Sequence, residues 1–232
     1  MKKTMFLGTT ISVIISLFYF VSFVCFVFAA DQDLLPNTKW ILIKDESGYK
    51  VFKGEVAHES GIYPLKIEAT IAFPLAKVLT VLDSTERKHE WVPNMKEAKV
   101  IQQISPFEKI EKGTYDAPWP VSDREFLVRI KADVDFKGKF AKATMESTTI
   151  ADVAVETGCV RGETYNGDVF LKAVDADHTY LQMILFNNFK GLLPVWIVNM
   201  VQKDWPTNFV ARLKNQLERK DIEVDKKLQP LL

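Results

Sequence analysis

Residues 126–136 read FLVRIKADVDF, and this stretch decides the fold. Every second residue from Phe126 to Phe136 is apolar, and four of the five residues between them are charged. Alternation with a period of two is typical of an antiparallel strand that has one face on the core and one face in water. The Lys137–Lys139 stretch contains Gly138 and predicts a hairpin turn, so residues 140–147 are predicted to return as the neighbouring strand.

Shorter segments on both sides of this hairpin extend the same sheet. Pro74 suits the first position of a helix that continues with apolar residues at helical spacing and ends before Pro93. A short strand or helix is expected around Trp40. Further strands are predicted at residues 49–53, 64–71, 98–104, 113–117, 160–174 and 179–186.

A long helix is predicted near the end of the sequence, starting close to Pro194. Because a step of four residues drifts only slowly around a helix, the apolar positions form one continuous stripe. The order of elements therefore predicts an α+β fold, with a curved antiparallel sheet wrapped around a long C-terminal amphipathic helix. The stripe consists of Ile197, Val201, Trp205, Phe209, Leu213 and Leu217.

The first 30 residues are an export signal by composition. Lys2 and Lys3 precede an apolar run from Met5 to Ala30, which is typical of a secretory signal peptide. The run is also long enough to remain as a membrane anchor, which needs about 20 residues. Both interpretations stay open. Both place a single domain, residues 31–232, outside the cytoplasm: periplasmic or secreted, or anchored to the outer face of the cytoplasmic membrane.

Composition argues against several classes of protein. Lysine plus arginine and aspartate plus glutamate both total 30, and no long basic run is present, so we expect no nucleic-acid partner. The sequence has no phosphate-binding loop and no G-x-S-x-G nucleophile turn. His89 is not followed by a second histidine at zinc-binding spacing. We therefore expect no catalytic residues, no metal and no cofactor.

Three segments resemble a known family. Trp119–Phe126 reads WPVSDREF and is similar to a P-x-S-x-R-D-F signature, with Glu125 in place of the aspartate. Val160–Glu163 is near a V-x-R-x-E stretch. Lys190–Pro194, with the Ile-Val-Asn at 197–199, looks like G-[WL]-L-P-x-x-[IL]-[IV]-N. In this order, across residues 36–220, they resemble the steroidogenic-acute-regulatory-protein-related lipid-transfer (START) domains. The N-terminal stretch suggests an exported member of the bacterial type.

This resemblance implies a helix-grip fold with a tunnel between the sheet and the last helix. The tunnel of such a domain holds one sterol, phospholipid or similar apolar molecule. A lipid that moves through water needs its chains shielded, at about 0.8 kcal/mol per methylene. As cavity-wall residues we predict Val128, Ile130, Ala132, Met145, Tyr165, Met183 and Leu185, and as lid-helix residues Ile197, Val201, Trp205 and Phe209.

Two further pairs of residues have a predicted role at the cavity or at the rim of the sheet. Trp119 and Val121 are predicted to belong to a loop at the entrance of the cavity. Arg161 and Glu163 lie two residues apart and are interpreted either as a polar pair in the cavity or as a structural salt bridge at the rim of the sheet. Because buried charges need partners already in place, the sequence favours the salt bridge.

The leading hypothesis is a monomeric, non-enzymatic carrier that binds or transfers a lipid in the cell envelope and touches the membrane surface transiently. One alternative is an enzyme similar to polyketide cyclases and aromatases, which act inside the same kind of cavity. Such an enzyme needs acid or base groups in the tunnel, and the apolar face of residues 126–136 offers none. Another alternative is a lipid sensor tethered by its N-terminal segment.

Overall fold

A computed structural model describes residue 35 and residues 37–46, 48–57, 61–191 and 193–232, without the side chains of residues 195, 196 and 198–202. The chain divides into residues 1–33 and residues 34–232, and the description concerns the second unit. The predicted signal peptide or anchor therefore lies outside the described residues. Among the described helices, none combines the length and the apolar composition that a membrane crossing requires.

In the described part of the chain, ten strands form one sheet. In the order β1-β2-β3-β10-β9-β7-β6-β5-β4, all neighbours are antiparallel, and β8 lies off this path, parallel to the start of β6. The strands are β1 Trp40–Glu46, β2 Tyr49–Gly54, β3 Leu65–Ile71, β4 Met95–Ser105, β5 Glu108–Tyr115, β6 Asp123–Asp135, β7 Phe140–Ser147, β8 Cys159–Arg161, β9 Glu163–Ala173 and β10 Thr179–Asn188.

The first helical region is broken where the sequence predicts one helix. Helix α1 spans Leu75–Asp83, and Ser84 then has an extended backbone (φ −68°, ψ 93°). A 3₁₀ turn, Thr85–Arg87, and the short helix α2, Lys88–Trp91, follow. Residues of both α1 and α2 line the cavity described below.

The last helix, α3, spans Val195–Glu218 and contains Pro206. Phe209, Leu213 and Leu217 are buried against residues of the inner sheet face such as Ile67 and Leu181, in one hydrophobic core. The predicted α+β helix-grip fold is therefore confirmed.

The predicted strand at residues 160–174 is split at Gly162. A Cβ atom at this position would overlap the ring of Phe126, so only glycine lets the chain pass this close. Strand β8 therefore ends at Arg161, and β9 begins at Glu163.

After α3 the chain runs through a 3₁₀ turn, Lys226–Leu231. Residues 222–232 are called the C-terminal segment below. The sequence pattern predicted no element here.

Candidate functional site

A cavity of about 530 Å³ lies between α3 and the inner face of the sheet. This volume is within the usual range for small-molecule sites, roughly 300–1,000 Å³. Strand β6 contributes alternate side chains, because successive residues of a strand point to opposite faces. Six of the seven predicted wall residues line the cavity, and their contact with a lipid remains a prediction: Val128, Ile130, Ala132, Met145, Met183 and Leu185.

Helix α3 forms the opposite wall. Ile197, Trp205 and Phe209 line the cavity as predicted from the stripe, whereas the side chain of Val201 lies outside the described residues. The rings of Trp205 and Phe209 are stacked with centroids 5.1 Å apart, and Trp91 of α2 packs on Phe209 at 5.4 Å. The middle of α3 is thus attached to the rest of the fold by aromatic contacts.

Tyr165 was predicted in the wall, and this prediction is wrong. Asn166 pairs with Phe186 and Thr164 pairs with Asn187, so Tyr165 is an extra residue in a β-bulge. An extra residue reverses the alternation of the strand, which turns Thr164 inward and Tyr165 outward. The Tyr165 hydroxyl accepts a hydrogen bond from Asn188 (2.8 Å), and its ring packs on Phe186.

Charged side chains that sequence reasoning missed reach one wall of the cavity. Lys109 and Glu111 are alternate residues of β5, and α2 adds Lys88. The Lys88 ammonium donates to both Glu111 carboxylate oxygens (2.6 and 2.8 Å), and Lys109 donates to Asp83 Oδ1 (3.0 Å). We call Asp83, Lys88, Lys109, Glu111 and Lys227 the polar cluster.

The polar cluster holds three lysines and two carboxylates. Thr85 also donates to Glu111, and Lys227 donates to Asp83 Oδ2 (2.5 Å). Lys88 therefore neutralises Glu111, while Lys109 and Lys227 neutralise Asp83. Lys227 also pairs with the Asp225 carboxylate (3.8 Å), so the three lysines of the cluster are faced by three carboxylates.

The surroundings shift the pKa values of these groups. Burial lowers the pKa of Lys88, although Glu111 opposes this effect. Burial alone raises the pKa of the Glu111 and Asp83 carboxyls, but the neighbouring lysines outweigh it and the pKa of each lies below its usual range. Both carboxylates therefore stay ionised near neutral pH.

Two polar atoms beside the cavity have no hydrogen-bond partner among the described residues. They are Nε1 of Trp91, whose side chain is buried, and Oδ1 of Asn187. Buried polar groups are normally paired, and these two atoms are shielded from the cavity as well as from solvent.

We call the mouth the end of the cavity where β5 and β10 finish and β6 and β9 begin, and its role as an entrance remains a prediction. Residues 116–122 form the entrance loop. Asp116, Ala117 and Pro118 line the cavity, whereas Trp119 is 90% exposed and lies with Val121 outside its wall. Residues of the predicted loop thus line this end of the cavity, but they precede the two that were predicted, and an entrance here stays a prediction.

Arg124 joins the two sides of the mouth. Its guanidinium donates to the backbone carbonyls of Ser122, the last residue of the entrance loop, and of Phe189 (2.9 Å) and Lys190 (3.1 Å), which precede α3. Arg124 is buried and belongs to the predicted signature. Its role is to hold the approach to α3 against the start of β6.

Arg161 and Glu163 do not pair, and neither lines the cavity. Arg161 donates to the buried Glu125 (2.6 Å), while Glu163 pairs with Lys190 (2.6 Å). The prediction of one polar pair is wrong because Gly162 separates two strands at this point. Glu125, Glu156 and Cys159 place possible metal ligands within 4.8 Å of one another, but Arg161 and Lys112 already pair with the two carboxylates.

An antiparallel sheet that grips a C-terminal helix over a largely apolar cavity defines the helix-grip class. The sequence pattern of the START domain family matches residues 34–221, and the chain belongs to this family. The resemblance noted from three motifs is confirmed.

Named relatives include a phosphatidylcholine transfer protein and a steroidogenic acute regulatory protein. Human phosphatidylcholine transfer protein is 23% identical over 183 residues, which cover 77% of this chain and 84% of that protein. The steroidogenic acute regulatory protein of Xenopus laevis is 28% identical over 193 residues, 76% of this chain and 66% of the relative.

Solved structures support the fold. Human StAR-related lipid transfer protein 5 superimposes with a TM-score of 0.70 at 16% identity, covering 77% of this chain and 86% of that one. A STAR-related lipid transfer protein fragment from Xanthomonas axonopodis gives 0.66 at 21% identity, covering 78% and 99%.

Proposed function

We propose that this protein binds one lipid in the cavity and carries it between membranes of the cell envelope as a monomer, without chemical change. The observation that carries the proposal is the cavity itself, with apolar walls on α3 and the sheet and one polar cluster. Apolar walls shield lipid chains, and a few polar groups orient a head. The START relatives that are named as lipid-transfer proteins support the same proposed function.

The polar cluster is the proposed site for the head group. The Lys88 ammonium lines the cavity and uses two of its three donors on Glu111, so it can offer the third to a polar head group.

The test is native mass spectrometry of the purified domain. We expect one lipid per chain, released intact on denaturation, and transfer of that lipid between vesicles when protein is added. Recovery of a chemically altered guest would favour the cyclase-like alternative, for which Glu111 and Lys109 are the acid–base groups in the cavity. Binding without transfer would favour a sensor, and absence of any bound or bindable lipid would overturn the proposal.

We also propose export, based on the composition of residues 1–30. The domain then works outside the cytoplasm, whether the segment is removed or remains as an anchor. A reporter fused after Leu232 should be active outside the cytoplasmic membrane; activity confined to the cytoplasm would contradict export.

Trp119 is the proposed contact with the membrane surface. It is exposed at the mouth, and tryptophan prefers the interface between lipid and water. If about 40 Å² of the indole enters the interface at roughly 25 cal/mol per Å², Trp119→Ala should slow vesicle-to-vesicle transfer about fivefold. Equilibrium lipid binding should not change, because Trp119 lies outside the wall.

The matched control is Val174→Ala, an exposed apolar residue in the hairpin between β9 and β10, at the opposite end of the sheet. It should transfer lipid like the unchanged protein. Equal transfer rates for all three proteins would rule out docking through Trp119.

A further inference from the structure

Every ammonium group in the described lining of the cavity has a carboxylate partner. Lys88 pairs with Glu111 (2.6 Å), and Lys109 pairs with Asp83 (3.0 Å). Lys227, from the C-terminal segment, pairs with Asp83 (2.5 Å) and with a further carboxylate of its own segment (3.8 Å). Three lysines therefore face three carboxylates, and the charges at the polar cluster balance.

The other charged groups that line the cavity do not change this balance. Arg124 lies at the mouth, and each of its three guanidinium nitrogens donates to a backbone carbonyl. Asp116 and Asp204 carry carboxylates and are exposed to solvent. Within the described lining, a guest therefore meets no ammonium group that lacks a counter-charge.

Within the polar cluster, Lys88 keeps one N–H donor for a guest. Its other two N–H bonds are directed to the Glu111 carboxylate (2.6 and 2.8 Å). Lys109 instead has three acceptors, which are Thr85 (2.8 Å), the Asp83 carboxylate and the Asp83 carbonyl. An oxygen atom of the guest can therefore accept the third N–H of Lys88.

An anionic head group would disturb the charge balance at this place. Glu111 and Lys109 are 4% and 6% exposed, so water screens their charges poorly. A guest carboxylate beside Lys88 would compete with Glu111 for one ammonium and leave a buried negative charge without a full counter-charge. An alcohol, ester or ketone oxygen accepts the same N–H and leaves the charges balanced.

We propose that the polar cluster selects a lipid whose head is uncharged and carries a hydrogen-bond acceptor, and rejects a lipid whose head is anionic. Glu111 sets this preference, because it neutralises the ammonium that would otherwise attract an anion. The inference rests on the proposed lipid binding and on the polar cluster as the site of the head group.

The test compares tetradecanol with myristate on the full chain, at a slightly alkaline pH where the carboxylate is ionised. The two compounds have the same number of carbons and differ in the charge of the head. Each displaces the uncharged fluorophore N-phenyl-1-naphthylamine from the cavity. Tetradecanol should bind about tenfold more tightly than myristate.

Glu111→Gln should invert the preference, so that myristate binds about tenfold more tightly than tetradecanol, because the Lys88 ammonium then needs a counter-charge. Asp83→Asn removes the other carboxylate of the polar cluster and should shift the preference in the same direction, which provides a second variant if Glu111→Gln does not fold. Thermal melting shows which variants fold.

Glu97→Gln is the matched control. The Glu97 carboxylate also pairs with a lysine, Lys99 (2.7 Å), but its side chain is half exposed on β4 and does not line the cavity. This variant loses the same charge and should keep the preference of the unchanged protein.

The inference is overturned if the unchanged protein binds myristate as tightly as tetradecanol, or if the folded variants of the polar cluster keep its preference. A shift in Glu97→Gln as large as that in Glu111→Gln would overturn it as well. A chain that binds neither compound and no fluorophore would instead overturn the proposed lipid binding, and this inference with it.

Discussion

Replacing Ile130 with tryptophan should reduce lipid binding on the order of tenfold or more, while the protein stays folded. Ile130 lies in the middle of β6 between Lys109 and Met145, and its side chain lines the cavity. An indole there occupies the volume that the guest needs. In a filled core the same overpacking would instead cost about 1–3 kcal/mol of stability.

The measurement is the fraction of protein with bound lipid by native mass spectrometry, together with thermal melting. Lys131→Trp is the matched control, because Lys131 is the next residue on β6 and is exposed on the outer face. It should bind lipid normally. A sharp fall in melting temperature for Ile130→Trp with unchanged binding per folded molecule would mean that Ile130 is ordinary core.

Lys88→Met should lower the free energy of unfolding by about 3–5 kcal/mol, because it leaves a buried carboxylate without its main partner. Glu111 is 4% exposed and keeps only Thr85 and the more distant Lys109 (3.6 Å). Adding Glu111→Gln removes the uncompensated charge, so the double variant should recover most of the loss. Urea denaturation at neutral pH gives the free energy of unfolding of the unchanged protein, of both single variants and of the double variant.

Lys96→Met provides the comparison for this result. The Lys96–Asp123 pair is as short (2.7 Å), but half of the Lys96 side chain is exposed to water. Exposed pairs contribute about 0–1 kcal/mol, so this variant should lose little. Additive losses for Lys88→Met and Glu111→Gln would show that the two side chains do not act as a pair.

The sequence predicted the structure best where the apolar residues recur at one regular spacing. The alternation in residues 126–136 and the four-residue repeat in α3 identified the fold, and they also identified three wall residues on β6 and three residues of the lid. Both patterns report which face of an element is apolar, and in this fold the apolar inner face is also the cavity wall.

The predictions were wrong where a single residue changes the path of the backbone. The bulge at Tyr165 and the close approach at Gly162 depend on contacts with β10 and Phe126, which no local pattern contains. The polar cluster was missed because β5 was predicted to begin at residue 113, although Lys109, Ile110 and Glu111 already alternate between its faces. Charged residues normally indicate the solvent face, and here Ile110 occupies the outer face instead.

The hydrogen bonds of Arg124 couple the two sides of the mouth to each other. Since its guanidinium bonds the carbonyls of Phe189 and Lys190 as well as that of Ser122, neither side of the mouth separates without breaking the same contacts. The backbone amides near residues 117–123 and 189–191 should then exchange with deuterium as one cooperative unit. Arg124→Lys keeps a charge but loses the forked guanidinium, so it should let the two segments exchange at independent rates.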